Sequence, residues 1–233
     1  MKILAETRAD LETQFQHAEH AAEMRAFLRS GSSPGHFLDV GANNGFFACI
    51  FCLFHSSNRA VAFEPSQLFV GRIRELLQLN DLGERISIVG KAVGSEASEQ
   101  ELLLDEEGGY VQSAQFPGTA RGSWRRIVLQ TTTLDAECSR LVFSPSLLKI
   151  DIEGYEWEAL QGADGILDEF KPEIFLELHL SYLEHRGLNP REVITRLERH
   201  GYRFWSLSDK RLAPREISGS WSPVVRLIAR RPS

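Results

Sequence analysis

The stretch "HFLDVGANNGFF", His36 to Phe47, decides the fold. It runs from an apolar strand pattern through a glycine turn into an apolar helix. Gly41 and Gly45 let the backbone bend tightly and approach a ligand closely. Asn43 and Asn44 tolerate unusual turn conformations. In open α/β sheets ligands sit beyond the carboxyl ends of the strands, where this turn lies. The dinucleotide fingerprint G-x-G-x-x-G, begun at Gly41, needs glycine at positions that here hold Asn43 and Phe46. Close packing on a pyrophosphate is therefore poorly provided for.

The next strand, "AVAFE", ends in Glu64, about 20 positions after the turn, where a ribose-binding carboxylate belongs. Its two oxygens can accept hydrogen bonds from both ribose hydroxyls. The spacing asks for a nucleoside, and the turn argues against a pyrophosphate. S-adenosylmethionine meets both conditions: it has adenine and ribose, no phosphate, and positive charges that acidic residues can offset. Other readings stay open on spacing alone. One is a generic strand–turn–helix unit with an exposed Glu64. Another is an NAD(P)-dependent oxidoreductase, and a third a non-catalytic cofactor-binding module of the same fold.

The rest of the chain alternates strands with helices. Residues 8–30 read as one N-terminal helix, with Leu11, Phe15, Ala18, Ala22, Phe27 and Leu28 near one face. "SGSSPGH" then breaks the pattern. Pro65-Ser66 opens a helix after the second strand, and "ISIVGKAV" reads as the third strand. Residues 99–132 form a β-rich insertion with glycine turns. "LLKIDIE" is a fourth strand and "YEWEALQGADGIL" its helix; "EIFLELHL" is a fifth. "NPREVITRLERHG" carries proline at its start and glycine past its end, as a helix should. "YRFWSLS" and "VVRLIARR" suggest a terminal hairpin. The expectation is a single α/β domain over 1–233, with a helical extension over 1–32. Its sheet is mostly parallel with one antiparallel strand.

The chain has 233 residues, 42% hydrophobic and 25% charged, which suits a globular domain. A net charge of −6 disfavours a nucleic-acid partner, because phosphate binding needs a basic face. The most apolar run, "FFACIFCLF", is too short to span a bilayer, and the first residues lack a long apolar signal core. No membrane association and a cytoplasmic location are the resulting expectations. Three cysteines argue for reduced thiols. Cys49 and Cys52 form a C-x-x-C inside an apolar helix, where cysteine packs as a small hydrophobe.

The block "LLKIDIEGYEWEALQGA", Leu147 to Ala163, follows "FLDVGANNG", "VAFEPS" and "TTTLDAE" in order. Together with the later "KPEIFLELH", these blocks resemble the FkbM family of S-adenosylmethionine-dependent methyltransferases over about residues 36–180. The resemblance implies a class I methyltransferase fold, a Rossmann-like seven-stranded sheet whose last strand is antiparallel. It implies that Asp39, Gly41, Asn43 and Gly45 line the methionine end of the cofactor. Glu64, followed by Pro65, holds the ribose; Ala92, with Lys91 and Val93, lies near adenine; Asp151 lies close to the methyl group. It also implies O-methylation of a small-molecule hydroxyl, on a natural product, sugar or lipid.

Methyl transfer needs an acceptor oxygen placed behind the methyl group, with water excluded. An alcohol also needs a general base or a metal. Asp151 and Glu153 sit two apart at the end of one strand, Glu177 and His179 two apart at the end of the next. Residues two apart share a side of a strand, so these groups should meet at one cleft. Asp151, Glu177 and His179 are the catalytic candidates, either as bases or as ligands of Mg²⁺ or Mn²⁺. Glu153 has the competing reading of a helix cap, and Lys149 that of a partner to a nearby acid. "GTARGSWRRI" places Arg121, Arg125 and Arg126 around Trp124, either an acceptor-binding patch or a solvated hairpin tip. The N-terminal helix has two readings, a lid over the cleft or the face of a homodimer.

Overall fold

The computed structural model describes residues 1–105, 111–113, 124–220 and 222–232. Helices α1 (Ala5–Gln14) and α2 (Ala18–Ser30) lead into β1 (His36–Val40), α3 (Phe46–Phe54), β2 (Arg59–Phe63), α4 (Gln67–Leu79) and β3 (Ile86–Val89). Four short strands follow: β4 (Ala92–Val93), β5 (Glu99–Asp105), β6 (Val111–Ser113) and β7 (Trp124–Thr132). Then come α5 (Leu134–Leu141), β8 (Leu147–Ile150), α6 (Glu156–Gln161), α7 (Asp164–Glu169), β9 (Glu173–Leu178), α8 (Leu180–His185) and α9 (Pro190–Arg199). The chain ends with β10 (Arg203–Trp205), β11 (Arg211–Leu212), α10 (Pro214–Ser218) and β12 (Val225–Arg230).

Among the described residues the large sheet has the order β11-β10-β12-β9-β8-β1-β2-β3. Pairings among β9, β8, β1, β2 and β3 are parallel. β12 runs antiparallel to both β9 and β10, so it is the reversed strand that the sequence led us to expect. The edge adds β11, a two-residue strand antiparallel to β10. The expected seven strands are therefore present with an eighth short one.

Alternation along the strands builds two cores. Leu38, Val40, Val61, Phe63, Leu148 and Ile150 share one cluster with residues of α5 to α9. Phe37, Ala60, Ala62, Leu147 and Phe175 face the other side, against α2, α3 and α4. There Phe27 of α2 packs edge-on to Phe175 at 5.8 Å and against Phe37 at 5.2 Å, and it is fully buried. Burial of such a ring is worth about 1.5–3 kcal/mol. Cys49 and Cys52 are buried free thiols on α3, pushed up to about 12 and about 11 by burial. They pack as small hydrophobes, as expected.

Three boundaries differ from the sequence reading. The helix expected over 8–30 is two helices, parted at Phe15 to His17. No glycine or proline marks the break, and the apolar stripe runs through it. The turn brings Phe15 to 6.1 Å from Phe46 on α3. The expected third strand stops at Val89; Ala92 and Val93 pair instead with Thr131 and Thr132 of β7. This joins a second sheet of order β4-β7-β5-β6, the β-rich segment seen in the sequence. The helix expected after the fourth strand is split at Gly162 and Ala163 into α6 and α7.

Candidate cofactor and acceptor site

The turn after β1 is held from both sides. Gly41 N and Ala42 N each donate to Phe63 O over 3.0 Å. Gly41 has φ +81°, and a Cβ there would lie 1.9 Å from the Asp151 carbonyl oxygen. Only glycine fits both the backbone region and the contact with the end of β8. Asn43 also has positive φ, +51°, and its N–H donates to Glu64 Oε2 over 2.8 Å. Glu64 Oε1 accepts from Ser66 N, again over 2.8 Å. Each carboxylate oxygen keeps a lone pair for a ligand. Burial pushes Glu64 up to about 7, against the pull of these two N–H groups.

A cavity of about 430 Å³ opens beside this turn. That volume falls in the range of small-molecule sites, about 300–1,000 Å³. Of the residues singled out for the cofactor, Gly41, Asn43, Glu64, Pro65, Ala92 and Asp151 line it. Asp39 and Gly45 support the turn from behind. Asp39 is 1% exposed, and its Oδ2 accepts from Ala48 N over 3.2 Å, in the first turn of α3. Burial pushes it up to about 6. Gly45, at φ +75°, packs on Ile73.

At the carboxyl ends of β8 and β9 the expected acidic and imidazole groups converge. Asp151, Glu177 and His179 each offer one ligand atom, all within 4.8 Å of one another. Each is already engaged. Lys149 Nζ donates to Asp151 Oδ2 over 2.8 Å. Arg226 grips Glu177 with Nε at 2.8 Å and a terminal nitrogen at 2.5 Å. His179 Nδ1 lies 2.8 Å from Glu156 Oε1, and its Nε2 lies 3.3 Å from Glu153 Oε2. Lys149 and Arg226 already neutralise these two carboxylates, which disfavours a divalent cation there without using up their lone pairs.

The charges sort these groups. Burial raises the Asp151 carboxyl, but the adjacent Lys149 ammonium wins and holds it below its ordinary value. Burial disfavours charge on Lys149 too, yet Asp151, Glu23 and Asp39 hold it protonated. Glu177 is pushed up to about 8 by burial and the nearby Asp151 charge. His179 is desolvated, yet the bond to Glu156 and the charges of Glu153 and Asp151 raise it to about 10. It is therefore an imidazolium near neutral pH, buried behind Glu153 and Glu177 rather than on the cavity wall. Glu153 does line the cavity; it holds φ +54°, and burial raises its carboxyl. It pairs with His179 instead of capping α6.

Four site groups escaped the sequence reading. Glu156, fully buried, holds His179 and accepts from Gly154 N over 3.0 Å. Arg226 lies directly across from Glu177 in the β12–β9 register. Glu23, on α2, and Arg186, on the loop after α8, also line the cavity. Only Glu156 had a local signal, the second of three acids inside "EGYEWE". Arg121 lies outside the described residues. Arg125 and Arg126 are exposed on β7 and do not line the cavity, and Arg126 pairs with Glu101.

The strand order, the glycine turn and the carboxylate ending β2 define a class I, Rossmann-like methyltransferase architecture. A family model for the methyltransferase FkbM domain matches residues 39–204, well over half of the chain, and the chain belongs to that family. Comparison with curated proteins finds no match. The methyltransferase FkbM of Methylobacillus flagellatus KT superposes with a TM-score of 0.55 at 17% identity, covering 84% of this chain. This chain spans 43% of that protein's length. A precorrin-6y C5,15-methyltransferase from Geobacter metallireducens GS-15 gives 0.48 at 13% identity, covering 91% of this chain and 87% of its own. Family membership implies S-adenosylmethionine as methyl donor. Among the described residues no helix is long and apolar enough to cross a membrane.

Proposed function

We propose that this chain transfers a methyl group from S-adenosylmethionine to a hydroxyl of a small molecule, a natural product or sugar. One observation carries this reading: a single cavity joins Glu64, at the nucleoside end, to Asp151 and Glu153, at the acceptor end. The cofactor residues fit the donor. Glu64 has acceptor capacity left for two ribose hydroxyls. The Asn43 N–H, which a dinucleotide site would turn toward pyrophosphate, is spent on Glu64. That disfavours a nicotinamide dinucleotide.

S-adenosylmethionine, when bound, supplies the electrophilic methyl group. The chain's own residues do the rest. Glu153 takes the hydroxyl proton, as a carboxylate whose affinity for protons is raised by burial. His179, fixed by Glu156, orients Glu153 through its Nε2. Asp151 stays ionised beside Lys149 and would offset the donor's positive charge. The acidic chain and acidic cavity wall support a small neutral or cationic acceptor over a nucleic acid.

The test is an acceptor screen over hydroxyl-bearing sugars and natural products, following release of S-adenosylhomocysteine. Turnover with one such compound supports the reading. Tight cofactor binding with no turnover on any acceptor class would favour a non-catalytic module.

A further inference from the structure

The sequence extension 1–32 carries no motif, yet its second helix places one acid in the cavity wall. Glu23 of α2 is 5% exposed and lines the cavity. It accepts no hydrogen bond among the described residues. The nearest cationic atom is Arg226 Nε at 3.9 Å, beyond hydrogen-bonding distance. That nitrogen is already given to Glu177 at 2.8 Å, and another arm of the same guanidinium goes to Glu19 at 2.7 Å. Lys149, the other nearby cation, donates to Asp151. A buried carboxylate left this way costs free energy unless a donor reaches it. Burial raises its affinity for protons, with the Asp151 charge adding to it and Lys149 and Arg226 opposing.

The position suggests the donor. Phe27, one helical turn further along α2, packs on Phe47 at 4.9 Å, and the Phe47 ring lies 5.0 Å from Lys149 Nζ. Glu23, four residues before Phe27, therefore lies on the face of α2 that covers the start of α3 and the end of β8. Resting on the methyl-donor reading above, we propose that Glu23 receives the α-ammonium group of the donor's amino-acid end. The N-terminal helices thereby contribute a binding residue, and Asp39, which does not reach the cavity, supports the turn instead. Three N–H donors of an ammonium group satisfy a carboxylate that accepts no hydrogen bond from the described residues.

The experiment is a calorimetric cycle at constant pH on the full chain. Wild type and Glu23→Gln are each titrated with S-adenosylhomocysteine and with its analogue lacking the amino group. The proposal predicts that wild type binds the intact ligand about 10-fold or more tightly than the analogue. Glu23→Gln should show no such preference and should bind the analogue as wild type does. Equal affinity of wild type for both ligands overturns the proposal without using the variant at all. An undiminished preference in Glu23→Gln also overturns it, while leaving the methyl-donor reading intact. If wild type binds neither ligand, the methyl-donor reading fails first and this inference with it.

Discussion

The Asn43 N–H donates to Glu64 Oε2 over 2.8 Å, tying the glycine turn after β1 to the end of β2. The same carboxylate is the one we propose to hold the ribose, so on that reading its charge state controls both the turn and the ligand. Burial pushes it up to about 7. Below that pH it is neutral and has lost acceptor capacity; above it, both oxygens accept. Affinity for S-adenosylhomocysteine should therefore rise from pH 6 to pH 8, and Glu64→Gln should flatten that rise. Glu64→Ala should cost about 10- to 100-fold in affinity. A pH profile unchanged by Glu64→Gln contradicts the assignment.

Gly41 meets the Asp151 carbonyl so closely that no side chain fits, and its φ of +81° disfavours one in any case. Gly41→Ala should destabilise the protein by about 2–5 kcal/mol, from overpacking and backbone strain together. Gly71, on α4 with nothing within 4 Å, is the control. Gly71→Ala should stabilise by about 0.5–1 kcal/mol. Urea denaturation reads both, and equal stability of Gly41→Ala and wild type would remove the basis for the turn geometry.

The ligand-free protein should lose stability as pH rises. Asp39, Glu64 and Glu177 are raised to about 6, about 7 and about 8, above their unfolded values. The folded state then binds more protons than the unfolded one, and this contribution is lost as pH rises through those values. His179, raised to about 10, carries the loss further. Asp151 is lowered and stays ionised across the window, so it does not offset the trend. Tm measured without ligand should fall from pH 5.5 to pH 9. A Tm that climbs over this range would show that these carboxyls are not buried as described.

Toward the proposed acceptor end, Lys149 and Arg226 already neutralise Asp151 and Glu177, which disfavours a bound cation. Exhaustive chelation should leave the turnover rate unchanged. Glu153→Gln should lower kcat by about 10²-fold or more, while S-adenosylhomocysteine affinity stays within about threefold of wild type. Loss of turnover on chelation, restored by Mg²⁺ or Mn²⁺, would reverse the choice between base and metal.

What could be read from the chain was what depends on local spacing. The turn at Gly41, the carboxylate at Glu64 and the strand pattern of Leu147 to Ile150 each follow from neighbouring residues. So does the meeting of Asp151, Glu177 and His179, because adjacent parallel strands end together. The groups that decide their roles come from distant segments. Arg226 reaches Glu177 only through the register of β12 on β9, which no local pattern encodes. Glu23 reaches the cavity on the second of two N-terminal helices, which part at Phe15 to His17, where no glycine or proline signals a turn. Ala92 and Val93 left the third strand for the same kind of reason, since their partners on β7 are about 40 residues away. His179 looked like a base from its ordinary value. Against the effect of burial, the bond to Glu156 and the charges of Glu153 and Asp151 raise it to about 10, which favours the cation.

The central claim is that the cavity beside Gly41 and Glu64 holds a nucleoside methyl donor. Isothermal titration of the purified protein with S-adenosylhomocysteine, with NADH and NADPH in parallel, tests it most directly. The account predicts saturable, one-to-one binding of S-adenosylhomocysteine that Glu64→Ala weakens, and no measurable heat from either nicotinamide. Tight binding of NADH or NADPH with none of S-adenosylhomocysteine would contradict it.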